Sequence, residues 1–595
     1  MKTSNTTLTN NKSLERLLLD FDKKASDLSN KIDYYVSSHK GISFIILLIY
    51  IISISFISFF HEPWGDEAQA WVIARDCTVK ELLFEIGHLE GHPPLWWLYL
   101  AIFAKTGFPY ELGLKLAAII INSISAHLII YKAPFPKIIN YSIPFTYFLF
   151  YQYGVISRCY SFLILGFVLC AIYYNTKNYT PFKLVFSLSL LCMSGAYGLI
   201  ISFGIAIIWV WDIFSPILSH SCSHNNIKFS KIIRDNTKQL LALLTLLIVA
   251  LFILINIIPY ENTSGTYLEN YNSLVFRLFY TFFLLPADSL FFSSYWGEGY
   301  LGMYNISVPV MIIGGLIWII VFVVLLTRKE AYGYKKLLLI PYFIFSAVCA
   351  NLYMYSHHIG IFALFILFWL WVCFDKSNTT NFTFINKKNN WLYDGEGKLL
   401  YNSEWIIFAY IIITSLSWSI SSSYQDIIHN YVDSREVINF LKEYNLTDAK
   451  IMKPGTNYYI NGETRYELTV NSMPLVTAYL PYDNNTYRTF FKDKSANWVV
   501  RALYLSDNDP NEKALISEWQ NIGYPDVLIE ECNLEYIYDK EYQLNNGPIP
   551  NYVCVKEIRF CLIFKGYYLS LGDLNCTRIY LREDIADSLN IPAIR

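Results

Sequence analysis

Runs of apolar residues close to the thickness of a bilayer core recur between residues 42 and 422, broken by short polar stretches. They fall at 42–60, 112–131, 139–154, 159–174, 181–195, 197–214, 237–258, 304–326, 337–354, 358–374 and 404–422. The pattern predicts a polytopic α-helical membrane protein with about eleven transmembrane helices, within a range of about 10–13. About 40 mostly polar residues precede the first run, too many for the short basic leader of a cleaved signal peptide, so that run is expected to stay as an anchor. In this tail Leu14, Leu18, Phe21, Ala25, Leu28, Ile32 and Tyr35 alternate at spacings of four and three, the seam of an amphipathic helix. Such a helix suits the inner leaflet as well as it suits a coiled-coil partner.

Beyond residue 422 the pattern changes. A helix is expected at 435–444, a strand at 449–452, a helix at 513–521, a strand at 525–529 and β-rich sequence over 552–564, which together predict an α/β domain. The expected organisation is a cytoplasmic N-terminal helix (1–41), a transmembrane domain (42–424) with an outer loop at 61–111, and an extracytoplasmic α/β domain (425–595).

Charge sets the orientation. A cytoplasmic N-terminus puts Lys132, Lys137, Lys177, Lys183, Lys228, Lys231, Arg234, Arg328, Lys329, Lys335, Lys336, Lys376, Lys387, Lys388 and Lys398 inside. The longest outer loop, 259–303, holds Glu261, Glu269, Asp288 and Glu298 against Arg277 alone. If the run at 93–104 spanned, every later loop would invert, so it is expected to be a juxtamembrane helix, and 274–297 an interfacial or re-entrant piece. Composition agrees: the 595 residues are 54% hydrophobic and 16% charged, and a net charge of -2 with no basic domain gives no reason to expect a nucleic-acid partner. Richness in Ile, Asn, Lys and Tyr points to a bacterial plasma membrane. Cys532, Cys554, Cys561 and Cys576 could form disulfides outside, in any of three pairings, or stay as buried thiols.

The chemistry concentrates just after the first run, in His61-Glu62-Pro63-Trp64-Gly65-Asp66-Glu67-Ala68-Gln69-Ala70-Trp71. Carboxylates held at a bilayer surface are functional candidates. Asp66 could merely cap a helix through Asp66-x-x-Gln69, but a clearer capping box follows at Thr78-Val79-Lys80-Glu81, which leaves the acid pair for other work. Asp66 is then a general base, worth about 10²- to 10⁴-fold, with Glu67 orienting an acceptor or a metal. The same loop continues as Glu90-Gly91-His92-Pro93-Pro94-Leu95-Trp96-Trp97.

An Asp-Glu pair after the first span, followed by a basic residue and Pro-Pro-Leu-Trp-Trp, resembles the GT-C fold of integral membrane glycosyltransferases such as protein O-mannosyltransferases and the bacterial aminoarabinose transferase. The resemblance is strongest over about residues 42–200. It implies transfer of a sugar from a polyprenyl-phosphate donor to a lipid, glycan or protein acceptor on the outer face, by inverting displacement, with Asp66 matching the family's catalytic aspartate. This chain has Gly91-His92-Pro93 where the aminoarabinose transferase has Glu-Lys-Pro. His92 therefore replaces a phosphate-contacting Lys, and Glu90 lies one residue away from the metal-ligand Glu position. A divalent metal is left open as a cofactor.

The donor phosphate would need outer cations, and Arg158, His357 and His358 stand at the outer ends of two runs, where they could make charge-assisted bonds to it. His92 belongs with them. Each could instead be an interfacial anchor or helix cap. Trp71, Trp96, Tyr160 and Glu90 are expected to support the loop or the acceptor. A flippase for lipid-linked sugars would carry ionisable groups inside its spans and internal repeats. A non-catalytic receptor would use Asp66 only as a cap. An alkaline phosphatase moiety fused after Arg595, active only outside the cytoplasm, is expected to be active in cells; an inactive fusion would reverse the orientation.

Overall fold

The computed structural model describes residues 41–220, 229–258, 273–292, 308–327, 333–351, 356–375, 404–449, 526–533, 551–568 and 575–594, with shorter pieces between 20 and 39 and between 451 and 506. The heptad positions Leu14 and Leu18, most of the acidic outer loop and the helix expected at 513–521 lie outside the described residues.

The protein is mostly helical, and among the described residues each of the eleven apolar runs overlaps helix. Among the described residues five helices are long and apolar enough to cross a membrane: Gly41–Phe60, Tyr110–Lys132, Ala196–Pro216, Thr237–Ile257 and Ile407–Ile428. Tyr160–Tyr174, Pro181–Ser194, Ile312–Thr327 and Gly360–Asp375 are apolar but shorter, as is Leu95–Ala104, the helix expected beside the membrane. The run at 139–154 is not one helix. Pro144 ends the helix Lys137–Ser142 in a short 3₁₀ turn, and a π-helix, Phe148–Val155, follows with every side chain buried.

Burial sorts the helices into inner and outer. Gly360–Asp375 and Tyr160–Tyr174 are apolar all round and buried over most of their length, so they form the centre of the bundle. Gly41–Phe60 and Thr237–Ile257 expose Ile, Leu and Phe along one side, including Phe44, Leu48, Ile52, Leu247, Leu251 and Ile255. The N-terminal helical residues 27–36 dock on the chain through Ser29 and Val36, and Asp33 Oδ1 accepts the Lys137 amide at 2.7 Å. The described part of the apolar seam is split: Ala25 packs against the core and Ile32 is half-buried, while Phe21, Leu28 and Tyr35 are exposed.

The C-terminal region holds a four-stranded sheet in the order Ile451–Met452, Val527–Asn533, Asn575–Arg582, Tyr552–Phe560, with the first pair parallel and the others antiparallel. A helix, Ser434–Glu443, contributes Val437, Ile438 and Leu441 to a core shared with Ile529, Ile558, Ile579 and Leu581 from the sheet. The helix begins and the strands fall close to where the apolar spacing expects them. Cys532 and Cys576 lie opposite each other in the ladder.

Polar clasps join this region to the helices. Arg435 donates to Glu111 and to the carbonyls of Phe59, Phe60 and His61, the last of the first helix, while Glu62 accepts from Ser434 Oγ and the Arg435 amide. A cation at a helix C-terminus and a carboxylate at a helix N-terminus are both favoured by the peptide dipoles. Farther along, the turn Phe564-Lys565-Gly566 inserts between helices. Lys565 Nζ, fully buried, reaches Asp288 Oδ1 at 2.7 Å and the Phe292 carbonyl at 2.9 Å, under the Trp418 ring. Lys565→Met is expected to destabilise the protein by about 3 kcal/mol by leaving Asp288 buried without its cation, and a second change, Asp288→Leu, to recover most of that. Thermal unfolding midpoints in detergent check both.

Candidate functional site

Two short elements after the first helix build one wall of the site. Helix Gly65–Asp76 starts at Trp64, and its cap is made by Glu67, whose Oε2 accepts the Trp64 amide at 3.1 Å. Asp66 makes no cap and leaves its side chain 40% exposed. The second box forms as expected: Thr78 Oγ1 accepts from the Glu81 amide and Glu81 Oε2 accepts from the Thr78 amide. The helix Gly65–Asp76 is not a surface helix. Residues Ala68 and Ala70 to Ala74 are buried, and Trp71 packs into the space left by Gly113, where a Cβ would come within 2.5 Å of its ring.

Opposite lies the end of the π-helix. It delivers Ser157 and Arg158 to the head of Tyr160–Tyr174, and Arg158 reaches across to Asp66 with Nη1–Oδ2 at 2.7 Å. Its guanidinium sits over Trp64 and Tyr160, 5.4 and 5.3 Å from the ring centres. A third segment, the 3₁₀ turn Ser356–His358, brings His357 Nε2 to 3.4 Å from Arg158 Nη1, and the Tyr153 hydroxyl donates to the His357 carbonyl at 2.8 Å. Gly360 permits this approach, because a Cβ there would meet the Phe148 ring and the Tyr153 hydroxyl. His358 lies beside Tyr197 and Tyr160.

The fourth segment follows helix Ile86–Glu90. Gly91, in the left-handed conformation at φ 65°, ends that helix and turns the chain toward His92. Glu90 Oε1 accepts from Gln69 Nε2 at 2.8 Å, and His92 Nδ1–H donates to the Glu90 carbonyl at 2.7 Å, which leaves Nε2 as its acceptor. Burial raises the Glu90 carboxyl, the Gln69 bond opposes it, and the nearby Asp66 charge adds to the rise, giving about 8. His92 is pushed down by burial and by Arg158, and His357 by burial, Arg158 and His92. These two imidazoles are neutral at neutral pH. The cation available to an anion is Arg158, and the charge assistance expected above from His92 and His357 is absent.

Six of the expected residues therefore meet: Asp66, Glu90, His92, Arg158, His357 and His358, with Tyr160 against the guanidinium. Trp96 is buried beside Tyr99 and Phe162, and the indole N–H groups of Trp64 and Trp96 have no hydrogen-bond partner among the described residues. Glu67 points elsewhere. It is wholly buried, accepts from the Ser157 amide at 2.5 Å and lies 3.1 Å from His61 Nε2. His61 in turn lies 2.8 Å from Asp426 on the last long helix, and Tyr151 donates to the same Asp426 oxygen. For a metal, no group of three His, Cys, Asp or Glu side chains converges among the described residues. The carboxylates of Asp66 and Glu90 already have protein partners in Arg158 and Gln69.

Sequence reasoning gives Tyr153 only as a possible supporting donor and misses the roles of His61, Asp426 and Gln69. His61 stands in the same motif as the acid pair and Asp426 is an acid just past an apolar run, so each carried a signal, but neither shows its partner. No family model, no curated protein and no solved structure matches the chain.

Burial alone would lower the His61 imidazole, but the charges of Asp426 and Glu67 and their hydrogen bonds hold it at about 9. A raised cationic group contributes stability that is complete below its unfolded value near 6.5 and is lost as pH rises through about 9, on the order of 2–3 kcal/mol. Glu62, raised by burial to about 7, loses its contribution earlier, between about 4.5 and 7. Melting in detergent is therefore expected to weaken between about pH 7 and 10, and His61→Gln to flatten that decline.

Proposed function

We propose that this protein is a membrane glycosyltransferase of GT-C-like architecture. It has about eleven spans, its N-terminus inside and its C-terminal region (425–595) outside, and it moves a sugar from a polyprenyl-phosphate donor to an acceptor at the outer face. The observation that carries the reading is the ion pair between Asp66 and Arg158, a base and an anion-binding group held 2.7 Å apart by separate segments. Inverting transfer from a phosphate-linked sugar can use this combination, with the cation on the leaving group and the carboxylate on the incoming nucleophile.

The donor's phosphate takes Arg158 from Asp66, with the indole N–H of Trp64 as a further donor, while the accepting Nε2 of the neutral His92 suits a sugar or acceptor hydroxyl. The freed Asp66 accepts the proton of the acceptor hydroxyl or amine as that atom attacks the anomeric carbon. The bond from that carbon to the phosphate oxygen breaks, and its electron pair leaves with the phosphate held by Arg158. Attack from the face opposite the leaving group inverts the anomeric centre. Glu90, protonated over much of the neutral range, lies within electrostatic reach of Asp66 and supports the loop through Gln69. Glu67 does not orient the acceptor; its three hydrogen-bond partners make it part of the frame.

The test is turnover of a panel of radiolabelled polyprenyl-phosphate sugars by wild type and Asp66→Asn in lipid nanodiscs. Wild type is expected to release polyprenyl phosphate, and a normally folded Asp66→Asn to lose about 10²- to 10⁴-fold. Equal rates would remove Asp66 as the base. In the same assay Arg158→Gln is expected to raise KM for the donor as well as to lower kcat, because the guanidinium meets phosphate before and during bond breaking.

A further inference from the structure

His61 lies outside the chamber, yet it touches the part of the frame that holds the chamber together. Its two ring nitrogens face two carboxylates from different parts of the chain, Glu67 at 3.1 Å and Asp426 at 2.8 Å, and all three side chains are out of contact with solvent. Tyr431 packs its ring 4.7 Å away, Arg435 donates to the His61 carbonyl, and Glu62 follows in sequence, so the imidazole is enclosed from every side by described groups. An imidazole flanked in this way donates from both nitrogens, which is the imidazolium form.

The consequence runs through Glu67. One of its oxygens takes His61 and the Trp64 amide, and the other takes the Ser157 amide. Trp64 stands two residues before Asp66, and Ser157 immediately precedes Arg158. The Glu67 carboxylate thus ties together the two backbone segments that bear the ion pair, and His61 fixes that carboxylate against the last long helix.

We propose that His61 is a positioning residue of this site: held between Asp426 and Glu67, it fixes the Glu67 bridge that sets Asp66 and Arg158 at their working separation. The inference rests on the reading of Asp66 and Arg158 given above. A displacement of about 1 Å in such a pair costs on the order of a hundredfold in rate. His61→Gln keeps a hydrogen-bond donor but removes the charge and one of the two contacts, and Glu67→Gln keeps the size of the bridge while turning one acceptor into a donor.

The experiment uses the full chain in nanodiscs and reads two quantities that fail separately. In histidine-¹⁵N-labelled protein, the His61 resonances, identified by their loss in His61→Gln, are expected to be those of an imidazolium at about pH 8; neutral-imidazole shifts would overturn the proposal whatever the activity. In the transfer assay, His61→Gln and Glu67→Gln are each expected to lose on the order of a hundredfold, in kcat more than in KM, and the double variant to lose no more than either alone. Normal turnover in a folded His61→Gln protein, or losses that multiply in the double variant, would overturn it. If wild type turns over no donor, the glycosyltransferase reading fails by itself. Farnesyl phosphate then serves as the anion probe: binding weakened about tenfold by both single variants supports the bridge, and equal binding by all forms overturns it.

Discussion

A charge withdrawn from water at the edge of a bilayer must find its counter-charge inside the protein, and the frame of this molecule is drawn by where those counter-charges come from. The imidazolium of His61 sits between Glu67 and Asp426, residues 6 and 365 positions away in sequence. Burying an ion is unfavourable by several kcal/mol unless its partners are well placed, so these three groups hold their segments in one arrangement or lose heavily. The first long helix, the short helix that carries Asp66, and the last long helix are thereby fixed to one another at one end of the bundle. The adjoining π-helix is included as well, because Tyr151 bonds to Asp426 and Ser157 to Glu67.

The same rule governs how the C-terminal region meets the helices. Arg435, Lys565 and the carboxylates they bind are long-range pairs, 324 and 277 residues apart in sequence, and each is reinforced by backbone carbonyls rather than by a lone ion pair. Arg75 adds a further contact by donating to the Ala478 and Leu480 carbonyls from the short helix that bears Asp66. Apolar contact alone is non-directional and would leave the two parts free to slide. Charge-assisted hydrogen bonds to fixed carbonyls set a register. The C-terminal region is thus tied to the elements flanking the site as well as to the bundle at large.

Much of this was written in local pattern, and the remainder was not for a physical reason. Apart from the run at 139–154, which Pro144 breaks, the apolar runs, the Thr78–Glu81 box and the helix after residue 434 depend on neighbours within a few positions, and the structure has helix close to where the spacing puts it. Asp66, His92, Arg158, His357 and His358 stood out as charged or titratable groups at the ends of apolar runs, and they do meet. The adjacent acids show where local reading fell short. Successive residues on a helix point about 100° apart, so Asp66 and Glu67 cannot face the same place, and one of the two had to turn inward. Which one turns in is decided by His61 and the Ser157 amide. Those partners are reached only by folding.

The pairing of Asp66 with Arg158 also bears on selectivity. At rest each group satisfies the other, so a neutral ligand gains nothing from the guanidinium unless it separates an existing ion pair. An anion can exchange for Asp66 with little change in charge at Arg158. The exchange favours ligands whose oxygens bond the guanidinium at least as well as a carboxylate does, and phosphate oxygens meet that condition. The aromatic faces of Trp64 and Tyr160 keep the guanidinium in place while its partner changes, so the cation is not lost to solvent between partners. With His92 and His357 neutral, the wall nearest Arg158 adds no further charge. On the proposed reading, the exchange at Arg158 comes first and frees Asp66 for the incoming nucleophile.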